Sequence, residues 1–204
     1  MKKERKDGYY WMAKREGFRS RAAYKLLQIN RRFHVMKPGD KVIDLGAAPG
    51  GWTQVARLIV GESGFILSID INDFEPLPYE NVKILNLDIT DENASEQILK
   101  RLKDKADVVL CDAAPKVSGI WDLDHQRQLR LVEAALRIAY NVLKSNGNFV
   151  TKIFEGAESK QIVNKAKELF KQVYLHRPPA TRSSSSEIYL ICKGFLGKIK
   201  EKQV

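Results

Sequence analysis

Asp44-Leu45-Gly46-Ala47-Ala48-Pro49-Gly50-Gly51-Trp52-Thr53 is the stretch on which the fold turns. The apolar run at 41–45 (KVIDL) ends on it and a helical pattern over 54–60 follows. Small residues therefore sit at the carboxyl end of a strand, just before a helix, where the backbone can pass close to a ligand. The spacing is not GxGxxG, and Pro49 argues against a dinucleotide loop. Further along, the runs 65–70 (FILSID), 82–87 (VKILNL), 107–112 (DVVLCD) and 148–154 (NFVTKIF) are short, apolar and bounded by turn residues, as buried parallel strands are. Helical patterns at 94–102, 124–144 and 158–170 separate them. The clearest carries Leu129, Val132, Leu136, Ala139 and Leu143 at offsets of three and four. Two last runs, 171–175 and 187–193, are joined by a Pro- and Ser-rich loop at 178–186 with no crossover helix, so the final strand should run antiparallel.

This alternation predicts an α/β fold: a Rossmann-like, mostly parallel, doubly wound sheet with its last strand antiparallel, preceded by a basic N-terminal helical segment. The 204 residues suit one domain, divided into a helical extension over 1–36, a core over 37–195 and a basic tail over 196–204. In the extension, Ala22, Leu26, Ile29 and Phe33 form the apolar stripe of a helix at 20–33, opposite Arg21, Lys25, Gln28 and Arg32.

The net charge of +10 is concentrated at the ends, with 13 Lys/Arg against 4 Asp/Glu in residues 1–41. Such asymmetry suits either a polyanion-binding face or solvated tails. No apolar run is long enough to span a bilayer, and the charged N-terminus lacks a secretory signal, so a cytoplasmic protein is expected. Cys111 and Cys192 lie in separate apolar runs, as buried reduced thiols do. His34, His125 and His176 have no ligand spacing, so no metal is expected.

Acidic residues close the first three strands at Asp44, Asp70 and Asp88. Each alone could cap a helix. Together, without a phosphate-binding loop, they favour a nucleoside carrying a positive group, and S-adenosyl-L-methionine fits that description. Asp112 ends the fourth run, and Lys152 interrupts an otherwise apolar fifth. A lysine there must be paired, open into a cleft, or sit at an edge reaching solvent. Glu187 opens the last strand and is a candidate partner.

SRAAYKLLQIN at 20–30, DLGAAPGGW at 44–52, CDAAPKVSG at 111–119, FVTKIFEG at 149–156 and SSSSEIYLICKGF at 183–195 resemble the FtsJ (RrmJ-type) family of RNA ribose 2′-O-methyltransferases, in family order. The resemblance implies an S-adenosyl-L-methionine-dependent methyltransferase with a Lys-Asp-Lys-Glu tetrad at Lys25, Asp112, Lys152 and Glu187. It implies cofactor binding through Gly46, Pro49, Gly50, Gly51, Trp52, Asp70, Asp88 and Asp112, with S-adenosyl-L-homocysteine as product and no metal. Lys152 would act as general base or as stabiliser of the forming alkoxide. The expected substrate is a ribose 2′-hydroxyl, of a uridine, in large-subunit ribosomal RNA or the large ribosomal subunit, with no membrane partner and a monomeric enzyme. Arg15, Arg19, Arg21, Arg177 and Arg182 would bind RNA, while Tyr9, Tyr10 and Trp11 either stack on a base or anchor the N-terminal arm. Alternatives are a transfer-RNA methyltransferase of the same family, a non-catalytic ribosome-assembly factor, and a small-molecule methyltransferase. The intact tetrad and the basic ends argue against the last two.

Overall fold

The computed structural model describes residues 7–116, 118–156 and 159–197, so the first six residues of the expected extension, most of the expected tail, Val117 of the motif at 111–119 and Glu158 of the helical pattern at 158–170 lie outside the described residues. The chain runs α1 (Gly8–Arg15), α2 (Ala23–Phe33), β1 (Lys41–Leu45), α3 (Gly51–Val60), β2 (Phe65–Asp70), β3 (Val82–Asn86), α4 (Ala94–Leu102), β4 (Ala106–Cys111), α5 (Trp121–Val142), β5 (Leu143–Phe154), α6 (Ser159–Leu169), β6 (Phe170–His176) and β7 (Glu187–Phe195). These form one seven-stranded sheet in the order β3-β2-β1-β4-β5-β7-β6. β1 to β5 are mutually parallel, and β7 is antiparallel to both its neighbours, β5 and β6.

Period-two alternation divides the strand residues between two cores. Ile43, Leu45, Val109, Phe149 and Leu190 face the layer of α4, α5 and α6. Val42, Leu110, Val150, Tyr189 and Ile191 face α2 and α3. Leu26 and Ile29 of α2 are fully buried in this second core. Helix α2, within the segment read as an N-terminal extension, thus packs as a layer against the sheet.

Local chemistry sets the element ends. Asp7 caps α1 by accepting from the Tyr10 amide at 3.0 Å, and His34 closes α2 in the left-handed conformation. The order of strands reverses between β1 and β4, where an open α/β sheet leaves a crevice at its carboxyl edge. Asp112, just past β4, donates its amide to the Leu45 carbonyl at 3.2 Å, so the loops after both strands meet at that crevice.

Candidate active site

The loop after β1 is held from three sides. The amides of Gly46 and Ala47 donate to the Ile69 carbonyl at the end of β2, and the Ala48 amide donates to Asp70 Oδ2 at 2.9 Å. Asp70 Oδ1 accepts from the backbone and side-chain nitrogens of Asn72. Gly46, at φ +73°, lies so close to the β4 loop that a Cβ on it would stand 2.6 Å from Ala113 Cα. This approach closes the floor of a cavity of about 290 Å³, lined by Gly46, Ala48, Asp70, Leu87, Asp88 and Asp112 among others. Its remaining walls are largely apolar, including Ile89, Ala113, Ala114 and Leu131.

Three carboxylates and no cation among the lining residues make this cavity unfit for a phosphorylated ligand. They fit a nucleoside bearing a sulfonium and an ammonium group, so the residues present accommodate S-adenosyl-L-methionine. Asp88 also serves locally, with Oδ1 accepting from the amide and hydroxyl of Thr90.

Pro49, Gly50, Gly51 and Trp52 shape the loop without lining the cavity. Gly50 is the left-handed residue that starts α3, and Gly51 is so close to Ser20 that a Cβ would clash with its hydroxyl. The Trp52 indole is buried, donates to the Ala22 carbonyl at 2.9 Å, and packs on Tyr189 with ring centroids 5.7 Å apart. It therefore joins α3 to α2 and β7.

Beside Asp112, which lines the cavity, the four residues of the expected tetrad come together in two ion pairs. Lys152 Nζ, on β5, donates to the Asp112 carbonyl at 2.8 Å and lies 3.4 Å from Asp112 Oδ1. Lys25 Nζ, on α2, is 2.7 Å from Glu187 Oε2 at the start of β7. Of the alternatives open for Lys152, the structure shows the paired one, with the side chain 4% exposed. Burial alone would push the Glu187 carboxyl up, but Lys25 and Lys152 outweigh it and leave it below the usual range.

Two further residues, not singled out by the sequence, complete the arrangement. Tyr189 is opposite Lys152 in the β5–β7 register, donates its hydroxyl to Asp112 Oδ1 at 2.8 Å, and lies under the Lys25 ammonium at 5.7 Å. Burial first, then the Asp112 charge, raises its phenol well above the ordinary value, so it stays a donor. Its signal was the i+2 spacing from Glu187 on one strand face. Buried Gln128 of α5 donates to the carbonyls of Lys152 and Ala113, tying β5 to the β4 loop. Behind the loop, fully buried Asp44 accepts from Thr53 Oγ1 at 2.7 Å, and its carboxyl is pushed up to about 7, chiefly by burial. Both cysteines are buried free thiols, and burial pushes the Cys111 thiol up to about 11.

The five expected RNA-binding arginines divide differently. Arg19 donates to the carbonyls of Pro49, Glu75 and Pro76, latching the cofactor loop to the 74–78 segment. Arg21 joins Asp7 to the Ala180 carbonyl, and Arg177 folds the Pro-Ser loop by donating to Ser183 and Ser185 carbonyls. Arg19 and Arg21 are half-buried in these contacts, whereas Arg177 remains exposed. Arg15 is exposed beside Glu16, and Arg182 approaches Asp7 at 3.5 Å. Tyr9 anchors the arm, packing on Tyr24 and accepting from Gln28, whereas Trp11 is exposed.

The sequence matches the FtsJ-like methyltransferase family over residues 18–195. It is 47% identical over 194 residues to the ribosomal RNA large subunit methyltransferase E of Methanococcus vannielii, covering 95% of this chain and 75% of that one. The protein of the same name from Methanocaldococcus jannaschii is 46% identical over 202 residues, 98% of this chain and 82% of its own. Among solved structures, a chain named as a ribosomal RNA methyltransferase from Plasmodium falciparum superposes with a TM-score of 0.77 at 28% identity, covering 89% of this chain and all of that one. Fold, glycine loop and family match agree, and the chain belongs to the FtsJ-like methyltransferase family.

Proposed function

We propose that the protein transfers a methyl group from S-adenosyl-L-methionine to a ribose 2′-hydroxyl, of a uridine, in large-subunit ribosomal RNA. The observation that carries this reading is the contact of Lys152 with Asp112, a residue that lines an acidic, phosphate-rejecting cavity. The large-subunit names of the relatives support the choice of RNA.

When bound, the cofactor supplies a methyl group already activated by its positive sulfur. The protein's work is then alignment and the handling of one proton. Loss of the hydroxyl proton would leave negative charge on the 2′-oxygen that is to receive the methyl group. Lys152, paired with two oxygens of Asp112, stabilises that charge. The Asp112 carboxylate is the nearest acceptor for the hydroxyl proton, and Tyr189 and Lys152 fix its position. Lys25 and Glu187, neutral as a pair, hold the ribose side of the site. The reading makes the enzyme a cytoplasmic monomer.

The test offers the protein labelled S-adenosyl-L-methionine with unmodified large-subunit ribosomal RNA, intact subunits and bulk transfer RNA in separate reactions. Label in an alkali-resistant dinucleotide from ribosomal RNA is expected. Label in transfer RNA alone would move the substrate to the other branch of the family. Cofactor binding with no transfer to any pool would defeat the reading.

A further inference from the structure

Beyond Asp112 the chain crosses the site's rim and enters α5, exposing Ile120, Trp121 and Leu123 at its first turn. Trp121 is 53% exposed. An aromatic ring this open, within an apolar patch, is a marker of an interaction surface. Two observations connect it to the reaction. Trp121 stacks on His125 at 5.7 Å and 28°, and on Phe154 at 6.1 Å and 23°. Phe154 lies two residues after Lys152 on β5, so it shares that strand face roughly 7 Å further toward the carboxyl edge. In the register with β7, Phe154 is opposite Glu187 just as Lys152 is opposite Tyr189. The ring cluster is thus continuous with the tetrad.

The charges around it select the occupant. Asp122 and Glu155, chain neighbours of Trp121 and Phe154, are exposed carboxylates that would repel a phosphate. A neutral heterocycle meets no such penalty and gains by stacking on the indole. Exposed Lys116 and Arg127, linked where Arg127 donates to the Lys116 carbonyl at 3.4 Å, lie on the same segment and offer cations to the flanking backbone.

We propose that Trp121, backed by His125 and Phe154, is a stacking platform for an unpaired RNA nucleobase next to the ribose presented to Lys152. The proposal rests on the RNA reading above and adds a substrate-positioning residue to it.

The experiment is equilibrium binding of a short fluorescein-labelled single-stranded RNA, followed by anisotropy, to wild type, Trp121→Ala and Trp121→Phe. Base–aromatic stacking predicts affinity about 5- to 150-fold weaker for the alanine variant and largely restored by phenylalanine. S-adenosyl-L-methionine affinity and melting temperature should stay at the wild-type values, and in turnover the RNA KM should rise more than kcat falls. Equal RNA affinity in all three proteins would overturn the proposal. So would a phenylalanine variant no better than alanine, or a melting temperature that falls in step with affinity. Self-association abolished by Trp121→Ala would assign the patch to a second copy instead. Because binding is read without methyl transfer, RNA held through Trp121 by a protein that methylates nothing would defeat the proposed reaction and leave the platform standing.

Discussion

Lys25 and Lys152 are both nearly buried, and each ammonium meets a carboxylate, which is the condition for keeping such a charge inside a fold. In the proposed reaction Lys152 is the charge opposite the forming alkoxide, so Lys152→Ala should slow methyl transfer by roughly 10²- to 10⁴-fold. Cofactor affinity should change little, because Lys152 does not line the cavity. Single-turnover rates and equilibrium dialysis check both halves. Lys152→Arg, which cannot act as a base, should retain measurable transfer if charge stabilisation is the role. Asp44 carries a separate prediction. Its carboxyl is pushed up to about 7 by burial, against the Thr53 hydroxyl bond that favours the anion, and with the Asp112 and Asp70 charges adding to the rise. Between about pH 4 and 7 the folded chain therefore keeps a proton that the unfolded chain has released, and stability falls as pH rises through that window. The slope is at most about 1.4 kcal/mol per pH unit. Asp44→Asn can still accept from Thr53 and does not titrate, so its melting temperature should gain on wild type from pH 4 to 7 and then run level.

The loop between β1 and α3 depends on what glycine lacks. At Gly46 a Cβ would meet the backbone of Ala113 and would also have to adopt φ +73°, so Gly46→Ala should pry apart the ends of β1 and β4. A loss of about 2 kcal/mol or more is expected, lowering the melting temperature by roughly 4–8 °C, with cofactor affinity down at least about tenfold. Calorimetry and cofactor titration measure the two effects. This loop was legible in the sequence because small residues at a strand end have few other uses. The strands were legible too, since apolar runs between turn residues admit one reading in an alternating chain. The boundary of β5 was not, because 143–147 contains polar Lys144, Ser145 and Asn146, and only the neighbouring strands make it extended. Helix α1 was hidden by its mixture of aromatic and basic residues, and depends on the Asp7 cap and on contacts to α2. Gln128 was invisible as a site residue, and the i+2 spacing of Tyr189 from Glu187 says nothing of its bond to Asp112 until β5 and β7 are paired. The carbonyl partners of Arg19, Arg21 and Arg177 were equally hidden, since sequence gives a side chain's charge but not what it meets.

Across the whole molecule the charge acts through the cations that stay open to solvent. Lys14, Arg15, Arg31, Arg32 and Lys37 are exposed, whereas Arg19 and Arg21 are half-buried braces. RNA affinity should therefore fall steeply and log-linearly with salt. Arg31→Ala and Arg32→Ala should each reduce that slope by about one if they touch phosphate, while Arg21→Ala should lower the melting temperature instead. Salt titrations of RNA binding and thermal melts of the same variants separate the two groups. The placement of β7 has a consequence of another kind. This strand sits between β5 and β6 and supplies Glu187 and Tyr189, while Lys25 comes from the far end of the chain. The proposed catalytic group is thus assembled across 162 positions of sequence, and it cannot exist on a nascent chain until β7 has been made and has inserted. Until then β5 and β6 each present an unpaired edge, the kind of surface that recruits strands from other molecules. Synthesis interrupted before residue 187 would yield a sticky, chaperone-dependent fragment and no partial enzyme.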